Sequence, residues 1–420
     1  MNHVMLLLHR WAGLVIAGFL VIAGLTGAVI SWDHELDELL NPHLTQVEIR
    51  GPSLPVLDLV DAIEARDQRA RVTFVPLAPE PGDSLAFGVD PNVDPATGRL
   101  YELGYNQVFI DPATGQELGR REWGTVWPVT KETVVSFLYK LHYSLHLPEM
   151  WGIDDWGVWL MGGIAILWAL DCFVGFYLTL PSRSLRTAEQ PHRSWWTRWK
   201  PAWMVKLSGT LRRINFDLHR AFGLWAWGLL FMLAFTAFSL NLYREMFYPM
   251  MSLVSEVTPS PFDVRTPNDK HHPIAPTVGF ASILERAQYE RARRDWQEPL
   301  GDVFYSQEFG IYGVRFYEPG NDHGGAGVGP PVMYFDGSDG RYLGDQRPWK
   351  GTAADIFVQA QFPMHSGRIL GLPGRILVSV VGLGTAVLSV TGVVIWWRKR
   401  VAYGRRAQRR AEQLDPVPAR

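Results

Sequence analysis

Three uncharged apolar runs, Trp11 to Trp32, Ala221 to Tyr243 and Ile376 to Trp397, limit what this 420-residue chain can become. A helix needs about 20 such residues to cross the hydrocarbon core of a bilayer. A fourth run, Trp156 to Leu180, is interrupted only by Asp171. The chain therefore reads as a protein with four membrane spans. The first run, at 22 residues, exceeds the apolar core of about 7–15 residues in a cleaved secretory signal and is expected to remain as a span.

Lys and Arg give the spans a direction, because short loops rich in them stay on the cytoplasmic side. Residues 181 to 217 hold eight Lys/Arg against two acids, and residues 398 to 420 hold the same. The long segments invert the balance: residues 33 to 155 carry nine basic and 21 acidic residues, and 244 to 375 carry 13 and 16. Both termini are expected inside and both long segments outside. A composition of 47% hydrophobic and 20% charged residues suits such a mixture of membrane and water-soluble parts. The single cysteine, Cys172, excludes internal disulfides, cysteine-ligated zinc or iron–sulfur clusters, and haem attached through CxxCH.

The chain also repeats itself. LHRWAGL (8 to 14) and LHRAFGL (218 to 224) agree at five of seven positions, half a chain apart. VFIDPATGQEL (108 to 118) and MYFDGSDGRYL (333 to 343) each read as a strand entering and leaving an Asp-x-x-x-Gly turn. Helical stretches precede them at Val56 to Ala65 and Val278 to Ala292, with alternating strands between. Each half reads as span, external α+β domain, span. An even number of spans per half makes this a parallel duplication about an axis along the membrane normal.

That symmetry sorts the histidines. His9 pairs with His219 near the inner surface, and His142 or His146 pairs with His365 near the outer one. A haem iron takes two axial ligands from opposite faces, and imidazole is a common choice. His142 and His146 stand four apart and are expected on one helix face, so one is the ligand and the other a neighbour; His142 is preferred. Arg10 and Arg220 follow the inner pair, as partners for haem propionates or as positive-inside anchors. Asp171 is expected to face the bundle interior, either bonded to a ligand imidazole or as a protonated acid. His34, His43, His192, His271, His272 and His323 have no counterpart in the other half and read as surface residues. Small residues crowd the spans in GLVIAGFLVIAGLTGA and GLGTAVLSVTG; they suit close helix approach or a flat macrocycle equally. The aromatic residues Tyr101, Tyr105, Trp123, Trp127, Tyr305, Tyr312, Phe316, Tyr317 and Trp349 read first as packing in the external domains. The glycine-rich EPGNDHGGAGVGPP (318 to 331) reads as a flap or an insertion.

The run HRWAGLVIAGFLVIAGLTGAVISWDHELDELLNPHL, together with LHYSL, MHSGRILGLPGR and TGVVIWWRKR, resembles the PepSY-associated transmembrane helix family over nearly the whole chain. His34 stands where that family often has an acid, and His146 is an additional outer histidine. The resemblance implies a bundle of four transmembrane helices with two periplasmic α+β, PepSY-like domains. Its parts run 1–32 (first span), 33–130 (first domain), 131–181 (interfacial helix and second span), 182–217 (basic loop), 218–243 (third span), 244–350 (second domain), 351–397 (interfacial helix and fourth span) and 398–420 (basic tail). It also implies a bacterial inner-membrane reductase with two b-type haems that reduces ferric siderophore in the periplasm and releases Fe(II). His9, His219, His142 and His365 would then be the axial ligands. No nucleotide-binding GxGxxG or P-loop occurs in the required context, so the electron donor is expected to be a separate cytoplasmic reductant or a quinol. No nucleic-acid partner is expected. The competing expectation is a haem-free membrane sensor or assembly factor whose external domains bind a periplasmic peptide or protein.

Overall fold

The structure, a computed structural model, describes residues 2–181 and 194–414. In chain order the helices and strands that carry the argument are α1 (Asn2–Ile30), α2 (Asp33–Leu40), α3 (Val56–Arg66), β1 (Ala70–Pro76), β2 (Leu85–Pro91), β3 (Gln107–Ile110) and β4 (Glu117–Arg121). They continue with α4 (Val134–Ser144), α5 (Trp156–Thr179), α6 (Leu211–Trp225), α7 (Trp227–Asn241), α8 (Phe280–Arg293), β5 (Leu300–Ser306), β6 (Ile311–Phe316), β7 (Val332–Asp336), β8 (Tyr342–Gln346), α9 (Gln361–Ser366) and α10 (Gly371–Leu414). The chain divides into two compact units. Residues 1–31, 141–243 and 373–420 form the first, and residues 32–140 and 244–372 the second.

Among the described residues of the first unit, three helices are long and apolar enough to cross a membrane: α1, α5 and α10. The third apolar run of the sequence is not one straight helix. It is split between α6 and α7, which meet at Ala226 with a bend of 68°. The 15 residues of α7 reach only about 22 Å at 1.5 Å per residue, short of a core of about 30 Å, so this run spans only if both pieces share the crossing. Trp227, the first residue beyond the bend, donates its indole N–H to the Cys172 carbonyl at 2.9 Å and ties the break to α5.

Glycines set how closely the helices approach. A Cβ placed on Gly24 of α1 would sit 2.4 Å from the Gly382 carbonyl oxygen of α10, and one on Gly382 would sit 2.8 Å from the Gly24 oxygen. The two backbones touch, as small residues permit where lipid supplies no hydrophobic drive between helices. Gly162 of α5 takes Leu242 in the same way, and Gly384 of α10 takes the Phe222 ring.

The second unit is built on one eight-stranded antiparallel sheet in the order β4-β3-β2-β1-β5-β6-β7-β8. The two long segments between the apolar helices supply four strands each, and they join through β1 and β5, with Phe74 opposite Phe304 and Val75 opposite Val303. The segments therefore share one continuous sheet instead of forming two separate ones. Helices α3 and α8 cover one face, where Leu59, Val60, Ile63, Ile283 and Ala287 pack on Val72, Val75, Phe87, Val303, Tyr312, Met333 and Phe335. Tyr305, Tyr312 and Phe316 belong to this core, while Trp127 is 81% exposed.

Both Asp-x-x-x-Gly turns close alike. Asp111 accepts from the Ala113 amide at 2.9 Å, and its carbonyl accepts from Gly115 at 2.9 Å; Asp336 does the same with Ser338 at 2.8 Å and Gly340 at 2.9 Å. Gly115 and Gly340 take φ of 69° and 70°, where a Cβ is disfavoured. Burial raises the Asp336 carboxyl, but the Ser338 hydroxyl and amide and the Arg265 guanidinium outweigh it and hold it at about 2. Its stabilising contribution is present above the ordinary carboxylate value and is lost as pH falls toward 2.

One ion pair fixes α2 to the sheet. Arg121 of β4, with 4% of its side chain exposed, donates to both carboxylate oxygens of Asp37 at 2.7 Å each. Its guanidinium also lies over the Phe109 and Trp123 rings, at 5.0 and 4.8 Å from their centroids. Asn41 donates to the same Asp37 carboxylate at 2.9 Å.

Two outcomes follow in detergent-solubilised full-length protein. Asp37→Ala leaves Arg121 buried without its partner and destabilises by about 3–5 kcal/mol, seen as a lowered thermal unfolding midpoint. Gly24→Leu forces α1 and α10 apart and costs about 1–3 kcal/mol or more from overpacking; an unchanged midpoint would remove the glycine contact from the account.

Candidate functional site

The N-terminal half of α1 carries His9 toward α5. The His9 Nδ1 lies 2.9 and 3.0 Å from the two oxygens of Asp171, itself 9% exposed. A carboxylate in this apolar setting accepts, so Nδ1 carries the proton and Nε2 keeps its lone pair. Gly175 stands one turn after Asp171, where a Cβ would meet His9 Cε1 at an ordinary contact distance of 3.4 Å.

His219, on α6, lies across from His9 with ring centroids 6.2 Å apart and ring planes at 57°. Its Nδ1 is 3.1 Å from the Leu388 carbonyl oxygen and 3.1 Å from the Thr391 hydroxyl. The carbonyl can only accept and the Thr391 hydroxyl already donates to it at 2.9 Å, so the proton again sits on Nδ1. Gly392 receives the ring, with a Cβ position 3.2 Å from His219 Cε1.

His142, on α4, is mounted the same way on α1. Its Nδ1 is 3.0 Å from the Thr26 hydroxyl, which donates to the Ile22 carbonyl at 2.7 Å. Its ring covers Gly27, where a Cβ would approach Cε1 to 2.8 Å. A Thr-Gly dipeptide thus seats His142 (Thr26-Gly27) and another seats His219 (Thr391-Gly392). The sequence displays both as LTG and VTG, yet neither stood out among so many small residues.

The other candidates fall differently. His146 does not share a helix face with His142. The helix α4 ends at Ser144, and Leu145 and His146 take φ of 55° and 52° before Pro148, which disfavours helical geometry in the residue before it. His365 lies on α9 in the second unit. Arg10 has no hydrogen bond or ion pair among the described residues. Arg220 donates to the Pro201 carbonyl at 2.5 Å and to Asp217 at 3.0 Å. Asp217 is fully buried and also holds Arg213 at 2.8 Å. Sequence reasoning passed over this carboxylate, which stands two residues before His219 in DLHR.

His34 is exposed and His323 part-exposed, as surface residues are. His34 and His323, one from each half of the chain, meet edge to face with ring centroids 4.8 Å apart. They have no counterpart by symmetry but they are each other's neighbour, because the first turn of α2 and the glycine-rich loop come together. His192 lies outside the described residues.

The family of the PepSY-associated TM region matches residues 6–399. The chain belongs to that family. It is accordingly a multi-pass membrane protein with three to four spans. No curated protein matches it. The match takes in α1, α5, α6, α7 and most of α10, and the histidines considered above lie within its bounds.

Proposed function

We propose that this PepSY-associated protein is a b-type dihaem oxidoreductase of the bacterial inner membrane that carries electrons outward to a ferric siderophore. The observation that carries the reading is the His9–His219 pair. Two imidazoles that held one iron between them through bonds of about 2.0–2.1 Å would have ring centroids about 6 Å apart, and the His9 and His219 rings stand at 6.2 Å. Both Nδ1 atoms are committed to acceptors, which leaves Nε2 as the ligating nitrogen and fixes the tautomer, as metal-ligating histidines require. His142, seated on Thr26-Gly27 with its Nδ1 likewise engaged, supports a second haem, for which the repeat in the sequence names His365 as the other ligand.

Haem bound at these histidines supplies one-electron exchange between Fe(III) and Fe(II). The residues of this chain do the rest. Asp171 holds the His9 imidazole by its Nδ1–H and, as an anion, makes Nε2 a stronger donor. Thr391 and the Leu388 carbonyl orient His219 without a charge. Gly392 and Gly27 leave the His219 and His142 rings the space that a Cβ would take. One electron from a cytoplasmic reductant or a quinol converts one Fe(III) held by hard siderophore oxygens to Fe(II), which those oxygens hold less well. The inward basic loops, outward acidic segments and parallel repeat of the sequence support this direction of travel.

The protein purified after haem-replete expression is expected to show a b-type Soret band and a split reduced α-band. His219→Ala removes one haem and His365→Ala the other; spectra equal to wild type in both variants would refute the ligand assignment. A protein free of haem leaves the sensor or assembly-factor reading in its place. Asp171→Asn keeps the hydrogen bond but removes the negative charge, so it raises the midpoint potential of the inner haem in a redox titration while leaving haem content near wild type. An unmoved potential would deny Asp171 that role.

A further inference from the structure

We propose that His34, Asp322 and His323 form a binding site for a divalent first-row transition-metal ion on the second unit, separate from the haem histidines. Each of the three offers one ligand atom, and these atoms lie within 4.8 Å of one another. Two imidazoles and one carboxylate make a borderline donor set that suits Fe(II), Zn(II) and their neighbours, and disfavours Mg(II) and Ca(II), which prefer oxygen alone. Bonds of about 2.0–2.2 Å bring such donors to within about 3–4 Å of each other. The part-exposed Asp322 side chain closes the remaining distance by rotation, and the open side of the set leaves coordination positions for water or a ligand oxygen.

The surroundings hold the donors from both sides. His34 sits in the first turn of α2, whose Asp37 is locked to Arg121. Its neighbour Asp33 pairs with Arg368 at 3.4 Å. Asp322 and His323 stand in the glycine-rich segment 318 to 331, which is a closed loop. The Gly329 amide donates to the His323 carbonyl at 2.8 Å and the Gly324 amide to the Asn321 carbonyl at 3.1 Å. Trp349 donates its indole N–H to the Gly325 carbonyl at 3.0 Å. Gly327 lies on the Arg368 side chain, where a Cβ would come within 2.3 Å of Arg368 Cβ. Arg368 therefore links the helix and the loop, and Asp33 neutralises it beside the cation site. The glycines that make this segment look like filler let its backbone fold back on itself and present His323 to His34.

The site stands whether or not the chain carries haem. Under the reductase reading, Fe(II) is the ion released on this side, and this donor set accepts it.

The test is equilibrium dialysis of the tag-free full-length protein in detergent, stripped with a chelator, against Zn(II), with bound metal measured by atomic emission. One Zn(II) per chain is expected. His34→Ala and His323→Ala each weaken binding on the order of tenfold or more, Asp322→Asn weakens it, and Asp322→Glu retains it. His271→Ala, an exposed histidine elsewhere, leaves it unchanged. Thermal unfolding of the metal-free variants at the wild-type midpoint shows that the fold is kept. Absence of saturable binding in wild type, or wild-type affinity in both histidine variants, overturns the proposal. Zn(II) binding in protein without haem upholds this site while the reductase reading fails; haem without Zn(II) binding does the reverse.

Discussion

A carboxylate in the middle of an apolar helix is too costly to leave alone, and Asp171 resolves that cost by accepting from His9. Much else follows from this one bond. It ties α1 to α5 and commits the Nδ1 of His9, whose ring centroid stands 6.2 Å from that of His219. His219 solves the same problem with a backbone carbonyl and a threonine, so the two imidazoles that face each other are held by unequal acceptors, one charged and one neutral. Under the proposed haem reading, acceptors of unequal charge would give the two ligands unequal basicity, and the potential would then be set through a residue that never touches the metal.

The glycines complete the arrangement by doing two jobs in different places. Gly24 and Gly382 bring α1 and α10 into backbone contact, while Gly27 and Gly392 each leave room for an imidazole ring. In the second unit the corresponding fixed point is the Asp37–Arg121 pair, which anchors α2 to the edge strand β4. From that anchor the first turn of α2 reaches the glycine-rich loop and brings His34 to His323.

Much of this was legible in the sequence. The apolar runs, the helix and strand patterns of the two long segments and the Asp-x-x-x-Gly turns depend on local periodicity and turn chemistry, which neighbouring residues determine. The repeat of LHR singled out His9 and His219, and Asp171 drew notice because a mid-span acid needs a partner. The break at Ala226 was hidden because an apolar run reads the same whether straight or bent, and α6 is polar ahead of it. The end of α4 at Ser144 was missed because spacing alone put His142 and His146 on one face, although Pro148 was in view. The single sheet was missed because the β1–β5 pairing joins residues more than 200 positions apart. The meeting of His34 and His323 was missed for the opposite reason to the LHR pair: symmetry finds counterparts, and these two are neighbours without being counterparts.

The claim that His9 and His219 bind one iron from opposite faces is tested most directly by low-temperature electron paramagnetic resonance of the oxidised, purified protein. The account predicts a low-spin ferric haem signal of the bis-imidazole type that His9→Ala and His219→Ala each convert to high spin or abolish. A low-spin signal of wild-type intensity in both variants, or no haem signal in the wild type, would contradict it.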